Sequence, residues 1–240
     1  MASLFISDLH LHESRPQITR AFFQFLHTQA ATANALYILG DFFDAWIGDD
    51  DDAPLNLEVA NELKKLSDAG TKIFLMHGNR DFLLGETFAA QAGAQLLPEY
   101  TTIDLYGEPT LLVHGDSLCT DDTQYIAFRQ QVRSALWQQQ ILAQPLAARR
   151  ALAAQLREKS QAMNSLKAED IMDVNQAEVV HAMQNASVKR MIHGHTHRPA
   201  HHSFDITGEP AERIVLGDWH HKGWAIYADE HKVELISWPI

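Results

Sequence analysis

Five short stretches of this chain end an apolar run on side chains able to hold a divalent cation. They read Asp8-Leu9-His10, Gly40-Asp41-Phe42-Phe43-Asp44, Gly78-Asn79-Arg80-Asp81, His114-Gly115-Asp116 and Gly194-His195-Thr196-His197. Carboxylates, imidazoles and one amide oxygen form a mixed oxygen and nitrogen donor set, suited to Mn, Fe, Zn or Co and not to a thiolate-selected metal. A single cysteine, Cys119, cannot build a closed thiolate zinc site. The chemistry to which such a set points is phosphoester or phosphoanhydride hydrolysis by water made acidic between two metal ions.

Donors so far apart in sequence need elements that bring them together. Leu4-Phe5-Ile6, Leu36 to Leu39, Ile73 to Met76, Leu111-Leu112-Val113 and Met191-Ile192 read as strands buried on both faces, each immediately before one motif. Open sheets bind ligands just beyond the carboxyl ends of their strands, so the five loops are expected along one edge. Helices are expected around Ile18 to Leu26, from Leu55 to Leu66 with Gly70 as stop, over Phe82 to Ala92, and from Gln176 to Asn185. Ile214 to Leu216, Gly223 to Tyr227 and Val233 to Trp238 read as closing antiparallel strands.

In type and order, the five motifs resemble the calcineurin-like metallophosphoesterase superfamily, whose pattern is D-x-H, GD, GNH(D/E), H and GHxH. The resemblance implies an α/β sandwich of two β-sheets flanked by helices. It also implies that Asp8, His10, Asp41 and His197 hold one metal, while Asp41, Asn79, His114 and His195 hold the other, Asp41 bridging. Where many members carry a histidine after the asparagine to protonate the leaving oxygen, this chain has Arg80. A guanidinium cannot donate a proton near neutral pH but clamps phosphate oxygens in a bidentate fashion. A leaving phosphate needs no proton, so the expected substrate is a pyrophosphate, with Asp81 orienting Arg80.

Longer strings narrow the resemblance: GDFFDAWIGDDD, HGNRDFLLG, HGDSLCTDD, IMDVNQ and IHGHTHRPAHH. They are similar to the branch of the superfamily whose members split UDP-2,3-diacylglucosamine during lipid A biosynthesis. This implies attack of metal-activated water on the α-phosphorus, two Mn²⁺ ions, and a lipid-linked nucleotide sugar as substrate. Asn79, Arg80 and His195 are then the expected catalytic residues. Asp122, Ser160, Asn164 and Lys167, together with Asn79, Arg80 and His195, are the expected substrate contacts, assisted by Arg157.

The net charge of −12 argues against general nucleic-acid binding. Residues 123–168 invert it: seven basic side chains stand there against Glu158 alone, a local balance of +6. The segment lacks glycine, is rich in Ala, Leu and Gln, and reads as a helical lid inserted within a single domain of residues 1–240. Tyr125, Phe128, Val132 and Leu136 recur at helical spacing, and Arg157, Ser160, Asn164 and Lys167 form a polar stripe beside such apolar ones. Apolar residues of the lid, with Trp46 and Phe82, are expected to line a wall for acyl chains, and its cations to bind an anionic membrane surface reversibly. With neither a signal peptide nor a membrane span evident, the expected location is the cytoplasmic face of the inner membrane, without an obligate protein partner. Asp44 and Asp49 to Asp52 read as turn formers or a solvated acidic loop, and the ten remaining histidines as solvated or core residues. A soluble nucleotide pyrophosphatase or phosphodiesterase, or a non-catalytic scaffold, are the alternatives that the basic, apolar insert and the full ligand set disfavour.

Overall fold

A computed structural model describes residues 2–164 and 173–240, with the backbone alone for 161–164. Its strands are β1 (Ser3–Ile6), β2 (Ala35–Leu39), β3 (Lys72–Met76), β4 (Ala94–Leu96), β5 (Thr101–Leu105), β6 (Glu108–Leu112), β7 (Arg190–His193), β8 (Ala200–Ile206), β9 (Glu209–Val215), β10 (Lys222–Ala228) and β11 (Val233–Pro239). The helices are α1 (Pro16–Thr28), α2 (Pro54–Asp68), α3 (Glu86–Gln91), α4 (Thr123–Val132), α5 (Ala135–Leu142), α6 (Leu146–Asn164) and α7 (Gln176–Asn185).

Alternate residues of the motif strands serve different layers, which is why these strands are apolar on both faces. In β1, Leu4 and Ile6 join a core beneath the helices, whereas Phe5 points into a second core with Leu39 of β2 and Met76 of β3. That second core also contains Leu112 of β6, Ile192 of β7 and Ile214 of β9, so it lies between two sheets. Leu111 and Met191, on the opposite faces of β6 and β7, pack with Val179 and Met183 of α7. The layers therefore run helix, sheet, sheet, helix, the sandwich the sequence implied.

Among the described residues one sheet has the order β11-β10-β1-β2-β3-β4 and the other β5-β6-β7-β9-β8. Three motif strands belong to the first sheet and two to the second, not to one open sheet. The edge survives this division because β1, β2 and β3 are mutually parallel, as are β6 and β7. β9 is also parallel to β7, so the antiparallel expectation holds only for its pairing with β8 and for β10 with β1 and β11.

Two hairpins have turns without the usual Asn-Gly signature. Tyr106-Gly107 (φ 56° and 93°) joins β5 to β6, and Thr207-Gly208 (φ 56° and 86°) joins β8 to β9. Both central residues take positive φ, the demand of a tight turn whose twist matches its strands. α3 starts at Glu86 instead of Phe82 because Asp49 accepts hydrogen bonds from the backbone N–H of Gly85 (2.8 Å) and Phe88 (3.0 Å), ending the preceding loop there. In α4 the expected apolar stripe does not pack as one: Val132 is buried, but Phe128 is 38% exposed.

Candidate active site

The loops after β1, β2, β3, β6 and β7 meet at one edge through their backbones. Asp8 N–H donates to Gly40 O (3.1 Å), His10 N–H to Asp41 O (3.0 Å) and Gly194 N–H to His114 O (2.9 Å). Across the two sheets, His195 N–H donates to Asp8 Oδ2 at 2.9 Å. Asp8, His10, Asp41, His195 and His197 all have φ between 49° and 68°, a left-handed conformation unusual for residues with a side chain. Each costs about 1–3 kcal/mol, which the convergent hydrogen bonds and buried packing must offset. Two glycines permit the approach: a Cβ on Gly78 would lie 2.1 Å from Asp41 N, and one on Gly194 would lie 2.2 Å from Ser7 Oγ.

All seven expected metal ligands come together. Asp8, His10 and His197 present donor atoms within 4.8 Å of one another, as do Asp8, Asp41 and His114. Asp41 turns Oδ2 toward His10 Nδ1 (3.8 Å) and Oδ1 toward His114 Nε2 (3.7 Å), the placement a bridging carboxylate needs. Asn79 Oδ1 lies 3.0 Å from His114 Nε2 and 2.8 Å from His195 Nδ1. His114 Nδ1 donates to Leu39 O at 2.8 Å, which leaves Nε2 as the lone-pair nitrogen facing the cluster.

The donors fit cations better than they fit each other. Asp8 Oδ1 and His10 Nδ1 are buried without a hydrogen-bond partner, and His10 Nε2 and His197 Nε2 face each other at 3.2 Å. Buried polar atoms left this way call for an ion or water. Burial and the neighbouring His114 hold His195 down to about 4, and burial with Arg80 holds His10 well below the usual imidazole range, so both are neutral donors at neutral pH. For His197 burial is outweighed by Asp8, and for His114 by Asp41, so both shift upward. Burial tends to raise Asp8 but His197 outweighs it, keeping that carboxyl far below the usual range. Burial pushes Asp41 up to about 7, against the pull of His114 and Arg80.

Beside the cluster lies a cavity of about 380 Å³ lined by both polar and apolar side chains. Asn79, Arg80, Asp44, Arg157 and Ser160 are among its polar residues; Trp46, Phe82, Trp137, Ile141, Leu152 and Leu156 are among its apolar ones. Asp122 is the N-cap of α4, accepting from Tyr125 N–H at 3.0 Å. The side chain of Asn164, and Lys167 altogether, lie outside the described residues.

Several acidic residues have roles the sequence did not suggest. Arg80 is oriented by Asp44, not by Asp81: its Nη1 donates to Asp44 Oδ1 at 2.8 Å. Arg157 Nη2 meets the same oxygen at 2.9 Å. Asp81 instead accepts backbone N–H groups of Gly78 and Phe42, both at 2.7 Å, and so ties two ligand loops together. In the run Asp49 to Asp52, Asp49 and Asp50 do form a turn and Asp50 and Asp52 are exposed, but the run also has basic partners. Asp50 pairs with buried Arg149, which also donates to Ile47 O (2.6 Å), while Arg150 pairs with Asp51 and Asp52. Opposite charge in the acidic run and the basic insert was the available signal. Buried His193 is a core histidine, against Arg213 Nη1 at 3.0 Å, and His77 Nε2 lies 2.6 Å from Leu84 O.

A family model described as calcineurin-like phosphoesterase matches residues 1–199. A protein of Cellvibrio japonicus named UDP-2,3-diacylglucosamine hydrolase is 67% identical over 240 residues, covering 100% of both chains. One of the same name from Pseudomonas aeruginosa is 52% identical over the same span of both. The solved structure of an archaeal phosphodiesterase superposes with TM-score 0.52 over 100% of both chains at 13% identity, a likeness of fold alone.

Proposed function

Since this chain belongs to the calcineurin-like phosphoesterase family, we infer that it hydrolyses the pyrophosphate bond of UDP-2,3-diacylglucosamine, giving 2,3-diacylglucosamine 1-phosphate and UMP in lipid A biosynthesis. The observation that carries this reading is the position of Arg80, between a cluster of metal-type donors and an apolar cavity. One substrate with a diphosphate at one end of its sugar and hydrocarbon at the other uses both.

Asp8, His10, Asp41 and His197 would hold one divalent cation and Asp41, Asn79, His114 and His195 the other, Mn²⁺ in both cases. Bound there, the cations supply charge neutralisation and a water acidic enough to ionise near neutral pH. Arg80 grips the diphosphate; its Nε is 3.5 Å from Asp41 Oδ2 and its Nη1 rests on Asp44, so the fork is aimed before substrate arrives. Developing charge on the departing phosphate meets this guanidinium and that of Arg157. No proton donor is needed for such a leaving group, which suits a site where Arg80 replaces a histidine. His195 stays neutral and acts as ligand and neighbour of the phosphate. Asp122, Ser160, Asn164 and Lys167 meet the sugar-phosphate region.

Residues 123–168 act as a lid within the single domain, its inner apolar wall replacing the bilayer around the acyl chains. Work takes place on the cytoplasmic face of the inner membrane, with reversible contact. No described helix is long and apolar enough to cross a membrane, and Leu136 (66% exposed) and Leu142 (43%) offer apolar contact on the lid.

Hydrolysis of the diacylated and the fully deacylated UDP-glucosamine, compared with Mn²⁺, Mg²⁺ and Zn²⁺ in isotope-labelled water, tests this reading. The expected outcome is fast release of labelled UMP from the diacylated compound, with Mn²⁺ most effective. Equal rates on both compounds, or on a simple alkyl phosphate, would overturn it.

A further inference from the structure

Charge, more than apolar packing, holds α4 on the catalytic body. Tyr125, Arg129 and Arg133 recur every fourth residue, one face of a helix, and all three approach a single carboxylate. That carboxylate is Asp116, fully buried two residues beyond His114. Tyr125 Oη donates to its Oδ2 at 2.6 Å, Arg129 Nε to the same oxygen at 2.7 Å, and Arg133 Nη2 stands 3.8 Å away. Arg129 also pairs with Glu99 through Nη2.

The same three side chains continue into the reaction site. The Tyr125 ring stacks on His195, with centroids 6.2 Å apart and planes 27° from parallel. Arg133 Nη2 donates to Gly78 O at 2.8 Å, the carbonyl directly before Asn79. Its guanidinium lies 5.2 Å from the Phe82 ring centroid, and Phe82 in turn faces Trp137 at 6.0 Å. Phe82 and Trp137 are walls of the apolar cavity.

We propose that Asp116 is a positioning residue that holds the apolar cavity in register with the phosphate site, so that a substrate seated by its acyl chains brings its diphosphate to Asn79 and Arg80. The proposal rests on the function inferred above. Asp116 acts through α4: its charge fixes Tyr125 and Arg129, and the helix then sets Arg133 on Gly78 and Phe82. Removing this buried charge leaves Arg129 with Glu99 alone and takes away the carboxylate that faces Arg133, so α4 shifts while the ligand loops keep their own hydrogen bonds.

The test measures kcat and KM of the metal-loaded protein on diacylated and deacylated UDP-glucosamine, for the wild type, Asp116→Asn and Arg129→Gln. For Asp116→Asn, kcat/KM on the diacylated compound should fall on the order of a hundredfold, the scale set by a small misplacement of bound substrate. On the deacylated compound the fall should stay below about tenfold, with metal content unchanged. Arg129→Gln, which leaves Tyr125 on Asp116, should narrow the preference in the same direction by less, and it decides alone should Asp116→Asn fail to fold. Equal losses on both compounds, or a preference kept in both variants, would overturn the positioning role. A wild type without any preference for acyl chains would instead overturn the functional inference.

Discussion

Asp41 faces both halves of the donor cluster with different oxygens, and burial pushes its carboxyl up to about 7. Two cations held as proposed would displace that proton and take up lone pairs on four histidines. Metal uptake is therefore expected to release protons and to weaken as pH falls through about 7, below which Asp41 holds its proton. Calorimetry at several pH values in buffers of different ionisation heat would measure this. Asp41→Asn should abolish uptake of both ions. Arg80→Ala should keep the metal content and slow turnover, since Arg80 touches the cluster only from outside; equal metal loss in both variants would contradict these assignments.

At the scale of elements, the decisive feature is the close approach of loops that end different strands. Gly78 follows β3, yet a Cβ there would stand 2.1 Å from the backbone nitrogen and 2.2 Å from Oδ1 of Asp41, which follows β2. Asp81 ties the same two loops by accepting from Gly78 and Phe42. Backbone cannot yield as a flexible side chain does, so Gly78→Ala should destabilise by about 1–3 kcal/mol and weaken metal binding together with stability. Denaturant unfolding alongside metal titration would test this, and unchanged values of both would show that the loops have slack. Such approaches were half legible. Glycine beside the ligands marked sharp turns, but nothing in the order of residues showed which loop each glycine admits.

Taken as a whole, the molecule uses its charge asymmetry internally. The insert is basic and the remainder acidic, but Arg129 pairs with Asp116 and Glu99, Arg149 with Asp50, Arg150 with Asp51 and Asp52, and Arg157 with Asp44. A count of +6 thus overstates the positive field available to a membrane. Exposed Leu136, Leu142 and Phe128 remain on the insert, and each methylene they bury in lipid contributes about 0.8 kcal/mol. Sedimentation with anionic and neutral vesicles at two salt concentrations should then show binding that changes little with lipid charge or salt and weakens in Leu136→Asp. Binding that disappears at high salt would restore the electrostatic account.

The sequence by itself determined which donors gather at one edge, because the motifs that resemble the family's end apolar strands whose loops converge there, and it determined the helical nature of the described part of the insert through composition and periodicity. Partnerships among charged residues were decided only by the tertiary structure. Asp44 and Asp81 are the same residue type three or fewer positions from an expected ligand, yet one holds guanidiniums and the other backbone N–H groups. Which of these a carboxylate finds depends on what the fold sets within about 3 Å of it, and that distance joins residues as far apart in the chain as Asp44 and Arg157. The division of the motif strands between two sheets has the same origin: apolar runs declare that both faces are covered, but not by which layer.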